Sequence, residues 1–243
     1  MSARPPALPS VLSRGAPPPL LFSCSSLPRQ INDGRHRPAY LPVHLRPKSF
    51  PIQDIWLEPG KTFSPPSPPE SLALARLAAT VTPHRRWPAQ PMLPPCGPGA
   101  ETTTPYGVMR SYNGAFAEGY FHAGVDFAAE EGEPVRSPAA GRVVVVGREA
   151  EGFEVGGNCV GVDHGQGVTS LFMHLSRIGV REGDEVAAGE AVGEVGTTGR
   201  STGPHLHWGL AVRGKMVDPV PWMTPMAEWA ATAGENSMPP WAF

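Results

Sequence analysis

From about residue 105 onward the chain alternates short β-branched or apolar runs with glycine turns: Arg142 to Val146, Cys159 to Asp163, Val168 to His174, Val186, Ala191 to Val195 and Leu206 to Val212. Runs of that length at close spacing, with no candidate helix between residues 139 and 203, predict a mostly β domain, a sandwich or barrel. Residues 1–100 hold 5 of the 28 glycines, which leaves 23 for this part, where tight hairpins use their freedom at positive φ. About 140 residues suffice for one self-contained core.

Upstream, Ser67-Pro68-Pro69-Glu70 precedes Leu72, Leu74, Leu77 and Val81. It supplies a capping oxygen, prolines that suit a first turn, and a Glu placed to cap reciprocally. A helix over about 68–81 is therefore expected. Phe50 to Leu57 alternates enough for a short edge strand, ended by Glu58-Pro59-Gly60. A second short helix is expected from Thr224-Pro225 to Gly234. The chain thus divides into a Pro-rich arm without regular structure (1–48), a small accessory segment (49–104), the β domain (105–224) and a C-terminal helix and tail (225–243).

Composition sharpens that division. Residues 1–100 hold 22 of the 31 prolines and a charge of +7, from 11 Lys+Arg against 4 Asp+Glu; residues 101–243 carry −9, from 9 against 18. The overall −2 is thus a basic arm on an acidic domain. An acidic domain argues against nucleic acid as a partner, while the basic arm suits contact with an anionic surface. No run of about 18 uncharged apolar residues exists, which excludes a transmembrane helix. Arg4 and Arg14 supply positive charge near the start, but prolines interrupt the apolar core that a signal peptide needs. Leu21-Phe22-Ser23-Cys24 resembles the box before a lipid-modified cysteine; its short apolar lead-in fits an ordinary cysteine better. Cys24, Cys96 and Cys159 match neither a metal knuckle nor a disulfide framework.

Chemistry concentrates in the β domain, which holds five of the eight histidines; His36, His44 and His84 have no partner spacing and read as surface residues. In Gly203-Pro204-His205-Leu206-His207-Trp208, alternation puts both imidazoles on one strand face and Leu206 and Trp208 on the other. Such a pair is a structural hydrogen-bonded couple about as often as a binding site. His122 and Asp126 are four apart with a glycine between. Together with His207 they form a two-histidine, one-carboxylate set that suits Zn²⁺ with one position open. His174 ends an apolar strand, where a core histidine is the usual reading.

These fragments, in this order and spacing, resemble the M23 family of zinc metallopeptidases, the LytM or lysostaphin-type endopeptidases. His122-x-x-x-Asp126, Phe172-Met173-His174-Leu175 and Ser201 to Trp208 carry the resemblance. Gly132-Glu133-Pro134-Val135, Val162-Asp163-His164-Gly165, Val180 to Val186 and Asp218-Pro219 extend it over roughly residues 106–222. The resemblance implies a lysostaphin-type β fold related to biotinyl and lipoyl carrier domains. It assigns the metal to His122, Asp126 and His207 and makes His174 and His205 the catalytic pair. His164 is read as structural, Trp208 and Trp222 as packing, and Arg142, Arg181, Glu130, Glu131 and Glu133 as a solvated rim. Phe172 departs from the tyrosine common among relatives, so one hydroxyl fewer is expected near the site, with Tyr112 or Tyr120 as substitutes.

The implied activity is zinc-dependent hydrolysis of peptide bonds in the stems or cross-links of bacterial peptidoglycan, in the cell envelope or outside the cell. The glycines between Gly193 and Gly203 suit a groove that admits an extended peptide. A non-catalytic wall-binding or activator protein on the same fold is the alternative, and retention of all five residues weighs against it. A carrier-domain role needs an exposed hairpin lysine; the only lysines, Lys48, Lys61 and Lys215, lie outside residues 130–210.

Overall fold

The computed structural model describes residues 49–56, 65–88, 91–97 and 99–225. The basic arm, Cys24 and, from residue 226 on, the expected second helix lie outside these described residues; Thr224 and Pro225, the expected start of that helix, are not helical. The edge strand forms as β1 (Ile52–Ile55) and the capped helix as α1 (Pro68–Ala79). Strands β2 (Thr102–Thr104), β3 (Met109–Tyr112), β4 (Ala115–Phe121), β5 (Val125–Ala128) and β6 (Pro134–Arg136) follow. Then come β7 (Gly141–Gly147), a single 3-10 turn at Glu149–Glu151, β8 (Cys159–Asp163) and β9 (Val168–Met173). The domain finishes with β10 (Arg177–Ile178), β11 (Glu185–Val186), β12 (Ala191–Glu194) and β13 (His205–Val212). After these come β14 (Lys215–Val217) and a one-turn helix, α2 (Val220–Met223).

The fold is mostly β, as the apolar runs require. One large sheet runs β11-β7-β8-β9-β13-β5-β2, with β14 beside β13; a small sheet runs β10-β12-β6; and β1 lies parallel to β3 in a third sheet with β4. Alternation sorts the large sheet into two faces. Val160, Val162, Phe172, Leu206, Trp208 and Leu210 face one way and close the main core together with Val135 and Val192 of the small sheet. Leu171 and Cys159 face the other way, under α1, with Leu77 and Val145. Val143 and Val145, two apart, join different cores because a register shift between them turns the strand over. Gly161 makes room for the helix: a Cβ there would lie 3.0 Å from both Leu77 Cδ2 and Val145 Cβ.

Helix α1 starts at Ser67, whose hydroxyl accepts the Glu70 N–H. It ends two residues before the expected 81, because Thr80 turns extended ahead of β-branched Val81 and Thr82 and then Pro83. The reciprocal cap does not form. Glu70 is 1% exposed and its carboxylate accepts instead from the Val155 and Gly156 N–H groups, at 3.1 and 2.6 Å.

Candidate metal centre and its histidines

The face of the large sheet that α1 covers in part also carries the histidines. In β13, His205 and His207 lie opposite Ala128 and Asp126 of β5, and His207 lies opposite Met173 of β9. Antiparallel pairing of β5 with β13 thus brings Asp126 beside His207 although 81 positions separate them. His122 arrives from the end of β4, where its N–H bonds Val108 O and its own carbonyl accepts the Gly107 N–H.

Three donor atoms converge. His122 Nε2, Asp126 Oδ1 and His207 Nδ1 lie 2.8–3.0 Å from one another, all on buried or largely buried side chains. The other nitrogen of His122, Nδ1, lies 2.9 Å from Pro105 O. A carbonyl can only accept, so Nδ1 carries the proton and Nε2 faces the cluster as a lone pair. Two imidazole nitrogens and a carboxylate oxygen at this separation fit a divalent cation of the zinc type, with the outer carbonyl fixing the ring as metal-bound histidines require. Gly124 makes the approach possible: a Cβ there would lie 2.5 Å from Trp208 O and 2.8 Å from His207 Nε2.

Burial disfavours the ionised form of Asp126; the protonated rings of His122 and His207, which donate to Oδ1 when no ion takes the place of their protons, outweigh it and hold its carboxyl well below the usual carboxylate range. Burial pushes the His207 ring down from the ordinary histidine value. Arg110 of β3 extends Nη2 to 4.0 Å from Asp126 Oδ2, the oxygen that the histidines do not use. Sequence reading had assigned Arg110 nothing, and no local spacing marks it; only the pairing of β3 with β4 and the turn to His122 brings it there.

His174 and His205 stand beside this cluster. Their ring centroids are 4.8 Å apart, and His174 is 6.2 Å from His207. Both rings are tethered alike, with His174 Nδ1 2.9 Å from Thr198 O and His205 Nδ1 2.8 Å from Gly203 O. Each Nδ1–H therefore donates to a carbonyl and each Nε2 is left free; that of His205 lies 4.0 Å from Asp126 Oδ1. Burial pushes His174 down to about 3, so the ring is neutral at pH 7. Strand β9 stops at Met173, one residue before the expected His174, because His174 adopts φ +64. A residue with a Cβ is mildly strained there and is held by its surroundings.

The remaining residues sort by face. Phe172 is fully buried in the main core, opposite Trp208. The expectation that a hydroxyl was lost from the site at this position is therefore corrected: alternation points position 172 away from the histidines. Tyr112 is buried in β3 and Tyr120 half-buried in β4. Trp208 and Trp222 are core residues. His164 is fully buried; its Nδ1–H donates to Ala140 O, and Ser170 Oγ, which accepts the Trp208 Nε1–H, lies 2.8 Å from its Nε2. Arg142, Arg181, Glu130 and Glu131 are exposed and Glu133 is half-buried. Among the described residues no helix is long and apolar enough to cross a membrane.

The family described as peptidase family M23 matches residues 120–219. Over 107 residues the chain is 45% identical to the DD-carboxypeptidase/endopeptidase Mpg of Neisseria meningitidis serogroup B, a stretch that covers 44% of this chain and 24% of that protein. Over 106 residues it is 41% identical to the peptidoglycan DD-endopeptidase ShyA of Vibrio cholerae, again 44% of this chain and 24% of that protein. The chain therefore spans about a quarter of the length of these curated relatives. A crystal structure of a peptidase M23 from Pseudomonas aeruginosa superimposes with a TM-score of 0.51 at 34% identity, covering 65% of this chain and 62% of that one.

Proposed function

This chain belongs to peptidase family M23, and from that premise we propose that it is a zinc-dependent metalloendopeptidase acting on the stem peptides or cross-links of peptidoglycan. The observation that carries the reading is the convergence of His122 Nε2, Asp126 Oδ1 and His207 Nδ1 beside two rings whose Nδ1 atoms are tethered to carbonyls. His122, Asp126 and His207 would hold the ion. Zinc bound there lowers the pKa of a coordinated water from 15.7 toward about 7 and polarises the scissile carbonyl.

His174 and His205 divide the proton work. The free Nε2 of one of them accepts a proton from the attacking water; the Nε2–H so formed donates to the oxyanion of the tetrahedral intermediate and then passes its proton to the departing amine. The tethers to Thr198 and Gly203 fix the tautomers, so neither ring reorganises during the reaction. Asp126 would hold the ion through Oδ1, the oxygen that both histidines face, while Arg110 Nη2 lies 4.0 Å from Oδ2. The substrate class is supported by relatives named for peptidoglycan endopeptidase activity. A peptidoglycan substrate places the protein in the cell envelope or outside the cell. Contact of the basic arm (1–48) with an anionic surface there would weaken with added salt.

Digestion of purified peptidoglycan tests the proposal, comparing wild type, His205→Ala and chelator-treated protein, with product masses identifying the cut bond. Wild type is expected to release peptides with new amino termini, His205→Ala to release about 10²- to 10⁴-fold less and the chelated protein none. Zinc-loaded wild type that leaves sacculi and cross-linked peptides intact overturns the proposal and favours a non-catalytic wall-binding protein.

A further inference from the structure

Helix α1 lies outside the residues that match the family, yet a carboxylate of its first turn reaches the segment that holds His174. Glu70 is 1% exposed, and both oxygens are used: Oε2 accepts the Val155 N–H and Oε1 the Gly156 N–H. A carboxylate taking two backbone donors in a buried place is a strong, directional clamp. Its position in the first turn also sets it near the positive end of the helix dipole.

The clamped turn holds His174 at both ends. Gly156 O accepts the His174 N–H at 2.8 Å, fixing the backbone that sits at φ +64. Val155 O accepts the Arg200 N–H, and Asn158 N–H donates to Thr198 Oγ1. Thr198 O in turn receives the His174 ring proton. Main chain and imidazole are thus both anchored on residues 155–158, and Glu70 anchors those residues from behind.

We propose that Glu70 is a positioning residue for peptide-bond hydrolysis, its carboxylate fixing the 155–157 turn that holds the main chain of His174 and, through the 198–200 loop, its ring. The proposal rests on the hydrolase reading above. Glu70→Gln keeps the shape but turns an amide NH₂ toward one of the two N–H donors, leaving that group unsatisfied. A displacement of about 1 Å at a catalytic group costs up to about 100-fold in rate.

The test measures kcat, KM, zinc content, thermal stability and hydrogen exchange for Glu70→Gln and for Val145→Ala, which thins the apolar contact under α1 without touching the clamp. Glu70→Gln is expected to lower kcat about 10- to 100-fold, leave KM and zinc content unchanged, and speed exchange of the His174 amide. In a His174→Ala background it should cost little more. Val145→Ala should lower the melting temperature with kcat near wild type. Wild-type kcat in Glu70→Gln, or an equal kcat loss in Val145→Ala, overturns the assignment. If wild type hydrolyses nothing, the hydrolase reading fails, and unchanged His174 exchange in Glu70→Gln separately refutes the anchor.

Discussion

Replacing Gly124 with alanine puts a methyl carbon 2.5 Å from the Trp208 carbonyl and 2.8–2.9 Å from Nε2 and Cε1 of His207. Carbon contacts below about 3 Å do not persist in packed proteins, so something must move by about half an ångström. Strand β13 is paired on both sides, to β5 and β9, and its carbonyl has little freedom. The His207 ring yields instead, swinging Nδ1 away from Asp126 Oδ1. Metal–ligand distances tolerate only about ±0.2 Å, and disturbances of this kind cost about 10- to 100-fold in metal affinity, or about 1.4 to 2.7 kcal/mol. Overpacking adds a separate loss of about 1 to 3 kcal/mol in stability. Zinc titration against a competing chelator measures the first effect, and denaturation of the metal-free protein the second. If Gly124→Ala binds zinc as tightly as wild type, His207 is not a ligand in the manner described.

His174→Ala and His205→Ala should each lower turnover by about 10²- to 10⁴-fold with zinc retained, whereas His122→Ala and Asp126→Ala should empty the site; zinc content measured beside peptide hydrolysis separates the two groups. Burial holds His164 at about 4 in the folded protein, against 6.5 ordinarily. The unfolded chain therefore takes up the proton first as pH falls. The His164 contribution is fully present above pH 6.5 and is lost toward pH 4, a change of about 3 kcal/mol. Denaturant unfolding at pH 7 and pH 4.5 should show a smaller pH effect in His164→Gln; an identical one refutes this account.

The β strands were legible because each is a short apolar run cut by glycine, and alternation in His205-Leu206-His207-Trp208 was enough to put both rings on one face. The Ser67 cap marked the start of α1 for the same local reason. What escaped depended on partners distant in the chain. A Glu three residues after a capping Ser has the pattern of a reciprocal cap, yet Glu70 found two N–H groups 85 and 86 positions away. The turnover of β7 between Val143 and Val145 follows from a register shift that alternation alone does not reveal. Phe172 was placed by its distance from His174 in sequence, whereas the strand face decides that it points into the core. The tautomers of His122, His174 and His205 are set by the carbonyls of Pro105, Thr198 and Gly203, which carry no side-chain signature.

Anomalous diffraction at the zinc edge, from crystals grown with one equivalent of the metal, probes the centre itself. A single peak about 2.0–2.2 Å from His122 Nε2, Asp126 Oδ1 and His207 Nδ1 is expected, with neither His174 nor His205 bonded to it. A peak at another set of residues, or one held by His174 or His205 in place of His207, would contradict the division between metal-holding and proton-transferring rings.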